Sequence, residues 1–197
     1  MRSLFHSLAP AILGFTTLAA QGSDFGPLLS VAERTWPEKN HIGVVCNYRA
    51  SQDQIADMAR AASPGTVITV ADTYTSRLMQ SAQSILRNQK VDYLVLLPRD
   101  PVFFEGGFSA RMLVQRLAAN GIPSVGTRPI GLKQGAVFCI GPDTHGELLV
   151  TDKLVGTVSV LLPNRIAKAP VATPLFSTAS YYPNGVTVNV LQKIETR

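Results

Sequence analysis

The sequence predicts an α/β protein of three layers, with a five-stranded parallel sheet in the flavodoxin-like order 2-1-3-4-5 and a C-terminal edge strand. Five short apolar segments each precede a stretch with helical spacing, the pattern of a parallel sheet with helices on both faces. The first segment is apolar at nearly every position, as in a strand that is covered on both sides. The five segments comprise residues 41–47, 66–72, 92–100, 122–128 and 136–143.

The stretches between the strands carry helix signals. Ser51 and Gln54 have the spacing of a capping box, so the first helix is expected to begin at Ser51. Apolar stripes predict a second helix over residues 75–89 and a third over 109–119. Residues 129–135 are expected to lead irregularly into the fifth strand. A second capping-box pattern, Thr144 to Glu147, predicts a last long helix, and the alternating residues 186–194 predict the edge strand.

The N-terminus has the form of an export signal. Arg2 supplies a positive start, an apolar stretch reaches Ala20, and small residues precede Gln21. We therefore expect a signal peptide over residues 1–20, cleavage near Ala20 and an exported, periplasmic protein without a lipoprotein cysteine. A retained membrane anchor is the alternative. The rest divides into a connector (21–36), an α/β lobe (37–163) and a Pro-punctuated tail (164–197). Within the connector, residues 28–36 are expected to form a short helix or an irregular link that ends at Pro37.

Composition excludes several classes of function. The chain has 197 residues, 46% of them apolar, and a formal net charge of +5. Its basic residues are scattered without interleaved aromatic residues, so no nucleic-acid partner is expected. Cys46 and Cys139 fall on the first and fifth predicted strands. Two intervening strands at about 4.8 Å each hold them beyond bridging distance, which predicts two buried free thiols.

Catalytic and metal signatures are weak. The sequence has neither a G-x-G-x-x-G motif nor a phosphate-binding loop. The segment Gly107 to Arg111 imitates a nucleophile elbow but ends in arginine and follows a loop. The histidines do not pair at metal-ligand spacing. No catalytic residue, no metal and no cofactor are therefore expected, and the protein is interpreted as non-catalytic.

Polar residues gather where the predicted strands end, which is the edge at which parallel sheets bind ligands. Amides, hydroxyls, carboxylates and guanidinium groups together suit a small polar solute such as an amino acid or a carboxylate. Helix capping is the alternative role for the aspartates. The candidate ligand-binding residues are Asn47, Tyr48, Asp72, Thr73, Arg99, Asp100, Thr127, Arg128 and Asp143.

Residues 36–163 resemble one lobe of the bacterial ABC-transporter substrate-binding proteins of the ABC_sub_bind family, which have the type I periplasmic-binding fold. The resemblance depends on the order and spacing of four segments. They read WPEKNHIGVVCN (36–47), VDYLVLLPRDP (91–101), NGIPSVGT (120–127) and GAVFCIGPD (135–143).

The resemblance implies that Asn47, Tyr48, Arg99, Thr127 and Asp143 face a ligand cleft. Family members close two lobes on a small solute and deliver it to a permease, but the second lobe has no counterpart here. The expected function is therefore a solute-binding-protein-like module that binds a small polar solute or docks to an ABC permease or a sensor protein. Two alternatives remain: a homodimer that rebuilds a two-lobed cleft, and a small enzyme on the same fold.

Overall fold

The computed structural model describes residues 25–151 and 176–192, so the expected leader and most of the last predicted helix lie outside the described residues. Five α-helices and two 3-10 turns are present in these ranges. The helices are α1 (Phe25–Thr35), α2 (Tyr48–Ala61), α3 (Met79–Asn88), α4 (Phe108–Ala118) and α5 (Pro129–Gln134). The 3-10 turns are Ser76–Leu78 and Pro142–Thr144.

The strands form one mixed sheet of eight, in the order β6-β5-β4-β3-β1-β2-β8-β7. The pairs from β5 across to β8 are parallel. The outer strands β6 and β7 are antiparallel to their neighbours. The strands are β1 (His41–Cys46), β2 (Val67–Asp72), β3 (Tyr93–Val95), β4 (Ser124–Gly126), β5 (Phe138–Cys139), β6 (Leu149–Val150), β7 (Phe176–Tyr181) and β8 (Thr187–Gln192). The α/β class is confirmed, whereas a five-stranded, wholly parallel sheet is wrong.

The predicted C-terminal edge strand lies inside the sheet. Strand β8 pairs with β2 on one side and with β7 on the other. Its alternation has another cause: Val188 and Val190 are buried in the helical layer, while Asn189 between them is only half-buried. The side-chain amide of Asn184 donates hydrogen bonds to the carbonyls of Ala59 and Ala62, which ties the β7–β8 turn to the end of α2. The alternation of apolar and polar residues therefore indicates that one face of β8 is covered by helices. It does not indicate that β8 lies at the edge of the sheet.

The fold has three layers, with the sheet between two layers of helices. Helices α1 and α2 pack with one set of strand residues, including Val44 and Val95, in one core. Helices α3 and α4 pack with the alternate set, including Val45 and Leu94, on the opposite face. Successive strand side chains point to opposite faces, so a strand that is apolar throughout serves both cores.

In the segment 21–36, where a short helix or a connector is expected, residues 25–35 form α1, which buries Phe25, Leu28 and Leu29 in the core. Helix α2 begins at Tyr48 and not at Ser51, because Asn47 is its cap and accepts a hydrogen bond from the Ala50 backbone. Ser51 lies at a kink inside α2, where its backbone is non-helical (φ −118°, ψ 16°), and its hydroxyl donates to Asp100 and not to the helix backbone.

Two further expectations fail near β5. Residues 129–134 form α5, which ends at Gly135 in a left-handed conformation (φ 110°). The predicted capping box at Thr144 starts no helix: the Thr144 hydroxyl bonds back to Gly141 in a 3-10 turn, and strand β6 follows. The part of the predicted last helix beyond residue 151 lies outside the described residues.

The two cysteines are free and buried, as predicted. Strands β3 and β4 lie between β1, which carries Cys46, and β5, which carries Cys139. Burial raises the pKa of Cys46 well above its ordinary value and that of Cys139 to about 11, so both remain thiols at neutral pH. Within residues 25–151 and 176–192, no helix has the length and apolar character needed to cross a membrane.

Candidate functional site

The carboxyl edge of the sheet consists of the loops that follow β1 to β5, namely residues 47, 73–75, 96–107, 127–128 and 140–148. The nine predicted ligand-binding residues lie in these loops or beside them, because parallel strands end at one edge. Most of their polar groups, however, already have a partner within the protein, in the backbone or in another side chain. The hydrogen-bond partners of each candidate residue show whether its side chain is free to bind a ligand.

Asp100 is a structural residue. Its side chain is 2% exposed, and its carboxylate accepts four hydrogen bonds. Oδ2 accepts from the Asn47 backbone (2.8 Å) and the Ser51 hydroxyl (2.9 Å). Oδ1 accepts from the backbone of Val102 (2.8 Å) and Phe103 (2.6 Å). These bonds join the end of β1 to the loop after β3, so no lone pair of Asp100 is directed at a ligand.

Three more candidates have internal partners. The Thr73 hydroxyl donates to the Ala71 carbonyl at 3.1 Å, and Thr73 is buried. Asp72 accepts from the Tyr48 backbone at 3.0 Å at the start of α2. Asn47, as described above, caps the same helix. The tyrosine side chain of Tyr48 is half-buried, and this burial raises the pKa of its hydroxyl, which therefore stays protonated at neutral pH.

Glu105 is the residue that sequence analysis missed. It is 1% exposed and accepts three hydrogen bonds. Oε2 accepts from the backbone and the hydroxyl of Thr127 (3.1 and 3.0 Å), and Oε1 accepts from the Arg128 backbone at 3.1 Å. Thr127 is buried by this contact, so it too is withdrawn from a ligand. Glu105 thereby fastens the loop after β3 to the loop after β4.

Two glycines make room for the Glu105 carboxylate. A Cβ at Gly126 would lie 2.0 Å from Oε1, and a Cβ at Gly131 would lie 2.3 Å from it. Burial raises the pKa of Glu105 to about 7, although the hydrogen bonds from Arg128 and Thr127 oppose the shift. No local sequence pattern marks this residue. Its partners are more than twenty positions away, so only the fold brings them together.

Arg99, Arg128 and Asp143 form ion pairs whose side chains are exposed to solvent. Arg99 lies 3.8 Å from Asp53. The Arg128 Nε donates to Asp143 Oδ2 at 2.8 Å. A carboxylate ligand would have to displace Asp143 to occupy that guanidinium edge. Exposed ion pairs of this kind contribute about 0 to 1 kcal/mol each, so a ligand carboxylate could replace Asp143 at little cost. For the same reason the contact would give little specificity for one ligand over another.

Large apolar side chains are exposed at the same edge. Tyr74 is 62% exposed, Phe104 42%, Phe108 77% and Ile130 38%. A Cβ at Gly107 would come within 3.0 Å of the Phe104 ring, and one at Gly106 within 3.5 Å of Ile130. Because glycine has no side chain, the Phe104 ring and the Ile130 side chain can both pack against the loop that contains Gly106 and Gly107. We call these four exposed residues the apolar patch.

A groove of about 400 Å³ adjoins the apolar patch. It lies between the beginnings of α3 and α4, and neither helix has an acidic residue in its first turn or a side-chain cap. Its walls carry two guanidinium groups, two thioethers and an aromatic ring, with no carboxylate. The lining residues are Ser76, Arg77, Met79, Gln80, Phe108, Ser109, Met112 and Arg116. We call this the α3–α4 groove.

No model of a known protein family matches the sequence, and no curated protein matches it either. Among the described residues, no group of three or more His, Cys, Asp or Glu side chains has the arrangement of a metal site.

Proposed function

We propose that the chain is a non-catalytic binding module that docks an acidic, amphipathic segment of a partner protein on the apolar patch and the α3–α4 groove. The observation that carries this proposal is the contrast at one edge of the sheet. The predicted polar ligand groups there are largely bonded internally, while four large apolar side chains are exposed. Several large exposed apolar side chains near a groove are typical of protein-interaction sites.

The apolar patch supplies the binding energy in this proposal. Burying an exposed side chain of the size of phenylalanine is worth about 1.5 to 3 kcal/mol. Phe108 is the most exposed member of the patch and also lines the groove, so it is placed to be covered by a partner from two sides. Aromatic residues at the centre of interfaces commonly dominate binding.

The charge of the groove selects the partner. Arg77 and Arg116 line it, and the described residues place no carboxylate within 4.0 Å of either guanidinium. The first turn of α4, which has no side-chain cap, adds partial positive charge. Acidic side chains would complement both features. A second copy of this chain, whose net charge is +5, would bring arginine toward arginine, which favours a different protein as the partner.

The family resemblance fits this proposal in its docking form. The run β2-β1-β3-β4-β5, read as one lobe of a substrate-binding protein in an exported, periplasmic setting, would present the same edge that meets the second lobe or a permease. The partner would then be a transporter or sensor protein. Binding of a small polar solute receives less support, because Asp100, Thr73 and Thr127 are already bonded.

Fluorescence anisotropy tests the proposal with a labelled amphipathic peptide in which leucine and glutamate alternate at helical spacing. We expect saturable binding that weakens about tenfold in Phe108→Ala and in Arg116→Ala, which corresponds to about 1.4 kcal/mol. Tyr181→Ala is the matched control, since Tyr181 is 80% exposed on β7, away from the α3–α4 groove. The same peptide with lysine in place of glutamate should not bind.

Equal losses in Phe108→Ala and Tyr181→Ala would overturn the proposed surface. Equal binding of the lysine peptide would overturn the proposed charge of the partner.

A further inference from the structure

Strand β7 forms one outer edge of the sheet in the part of the chain that the structure describes. All six of its residues pair with β8, and no described strand lies on its other side. The opposite outer strand, β6, has only two residues. The outer edge of a strand presents a row of backbone N–H and C=O groups with which another strand can pair. Strand β7 is therefore the longer of the two edges at which a strand could be added.

The hydrogen bonds of the β7–β8 hairpin determine which backbone groups of β7 point outward. Residues of an antiparallel pair alternate between those that bond to the neighbouring strand and those whose groups point away from it. The Tyr182 N–H donates to the Val186 carbonyl at 3.1 Å, so every second residue back from Tyr182 bonds to β8. The Thr187 N–H donates to the Thr66 carbonyl, on the β2 side, which fits the same alternation. The residues whose N–H and C=O groups point outward are Ser177, Ala179 and Tyr181.

Strand β7 lacks the features that usually prevent strand addition at a sheet edge. Such edges are commonly protected by charged side chains, by proline or by a bulge. Residues 176–192 contain no Lys, Arg, Asp or Glu, although these residues make up 16% of the chain. Strand β7 also contains no proline, and its six pairs with β8 run without an interruption. Thr178, Ala179 and Tyr181 are exposed, so an added strand would meet an uncharged edge.

We propose that β7 pairs with β7 of a second copy of this chain, in antiparallel orientation, about a twofold axis at Ala179. The axis is perpendicular to the sheet, so Ala179 lies opposite Ala179 of the second copy. Ser177 of each copy then lies opposite Tyr181 of the other. Each of these pairs exchanges backbone hydrogen bonds, because all three residues point outward. A shift of one residue would place outward groups opposite inward ones, and a shift of two would lose a pair.

A second copy fits this edge better than a foreign peptide does. Its β7 is already ordered by β8, whereas a disordered peptide must be ordered when it binds. A twofold interface places the same surface on both sides, and an uncharged strand does not repel its own copy. The two sheets run in opposite directions in this dimer, so their carboxyl edges lie at opposite ends and do not form a shared cleft. Because β7 is not part of the α3–α4 groove, the inference does not depend on the proposed function.

Analytical ultracentrifugation of the full chain over a range of concentrations tests the proposal. We expect a monomer–dimer equilibrium. Ala179→Lys and Ala179→Glu should each raise the dimer Kd at least about tenfold, because each places two like charges opposite one another on the twofold axis. An equimolar mixture of the two variants should restore the dimer, because opposite charges then face each other. Ala119→Lys is the matched control: Ala119 is exposed at the end of α4, and its dimer Kd should equal that of the wild type.

Amide hydrogen exchange of the wild type gives a second measurement that needs no variant. The amides of Ala179 and Tyr181 should exchange more slowly as the protein concentration rises, because they bond only to the second copy. The amides of Thr178 and Ser180 bond to β8 and should be protected at every concentration.

Three results would overturn the proposal. One is a chain that stays monomeric at all concentrations, and another is a dimer that Ala179→Lys does not weaken. The third is protection of the Ala179 amide that does not change with concentration, which would show that a segment of the same chain covers this edge.

Discussion

The two edges of the sheet differ in how their polar groups are used. The carboxyl edge is rich in polar residues, but Asp100 and Glu105 together accept seven hydrogen bonds from neighbouring loops. At the amino edge the Asp92 carboxylate accepts one hydrogen bond, from the His41 backbone, and lies 3.6 Å from the Lys39 ammonium group. Buried polar groups are normally paired, so the density of polar residues in a sequence does not by itself indicate a ligand site.

The largest effect is expected at Asp100. Asp100→Ala removes the acceptor of the Asn47 backbone N–H and the Ser51 hydroxyl, and also that of two backbone N–H groups in its own loop. We therefore expect the free energy of unfolding to fall by about 3 to 5 kcal/mol. Asp143→Ala removes only an exposed pair and should change stability by less than about 1 kcal/mol. Urea denaturation measures both. Similar losses in the two variants would show that Asp100 is not the internal acceptor described above.

The next effect is the pH dependence of stability at Glu105. Its pKa is about 7 in the folded protein against an ordinary 4.5, so between these values the folded chain holds a proton that the unfolded chain has lost. The free energy of unfolding should therefore decrease as pH rises from about 4.5 to about 7, by up to on the order of 3 kcal/mol. Urea melts of the wild type and Glu105→Gln across this range measure the difference.

Glu105→Gln should lack that component of the slope, whatever its absolute stability. A wild type and a variant with parallel pH profiles would contradict the assigned burial of the carboxyl group.

A smaller effect is expected from the space around Glu105. Gly126→Ala places a methyl group against Oε1 and should lower stability by about 1 to 3 kcal/mol through displacement of the carboxylate. Gly26→Ala is the matched control, because a Cβ there meets nothing within 4 Å and alanine favours the helix α1. Thermal unfolding should give a lower Tm for the first variant and an equal or higher Tm for the second. The reverse order would mean that the loop around Glu105 is not closely packed.

Local patterns predicted the elements that local physics determines. The five apolar segments all contain strands, and the stripes after them became α2, α3 and α4. The pattern failed where a distant contact decides. Ser51 resembles a helix cap, but its hydroxyl bonds to Asp100, forty-nine positions away, and Asn47 caps the helix.

The place of β8 could not be predicted for a similar reason. The strand pairs with β2 over five residues, and Asn184 in its turn bonds to α2; both contacts join residues more than a hundred positions apart. Sequence analysis correctly placed the candidate residues at the carboxyl edge of the sheet. It did not show which of their side chains are free to contact a ligand or a partner. The exposure of Phe108 and the burial of Asp100 depend on how the loops pack in three dimensions. A local sequence pattern does not contain that information.

The most direct test of the account is an amide chemical-shift map of the isotope-labelled protein titrated with the acidic amphipathic peptide. We predict that the shifts concentrate in residues 76–80 and 108–116, which line the α3–α4 groove, and that residues 63–66 at the amino edge stay unchanged. Shifts centred on the amino edge, or spread evenly over the molecule, would contradict the claim that this protein docks its partner at the carboxyl edge.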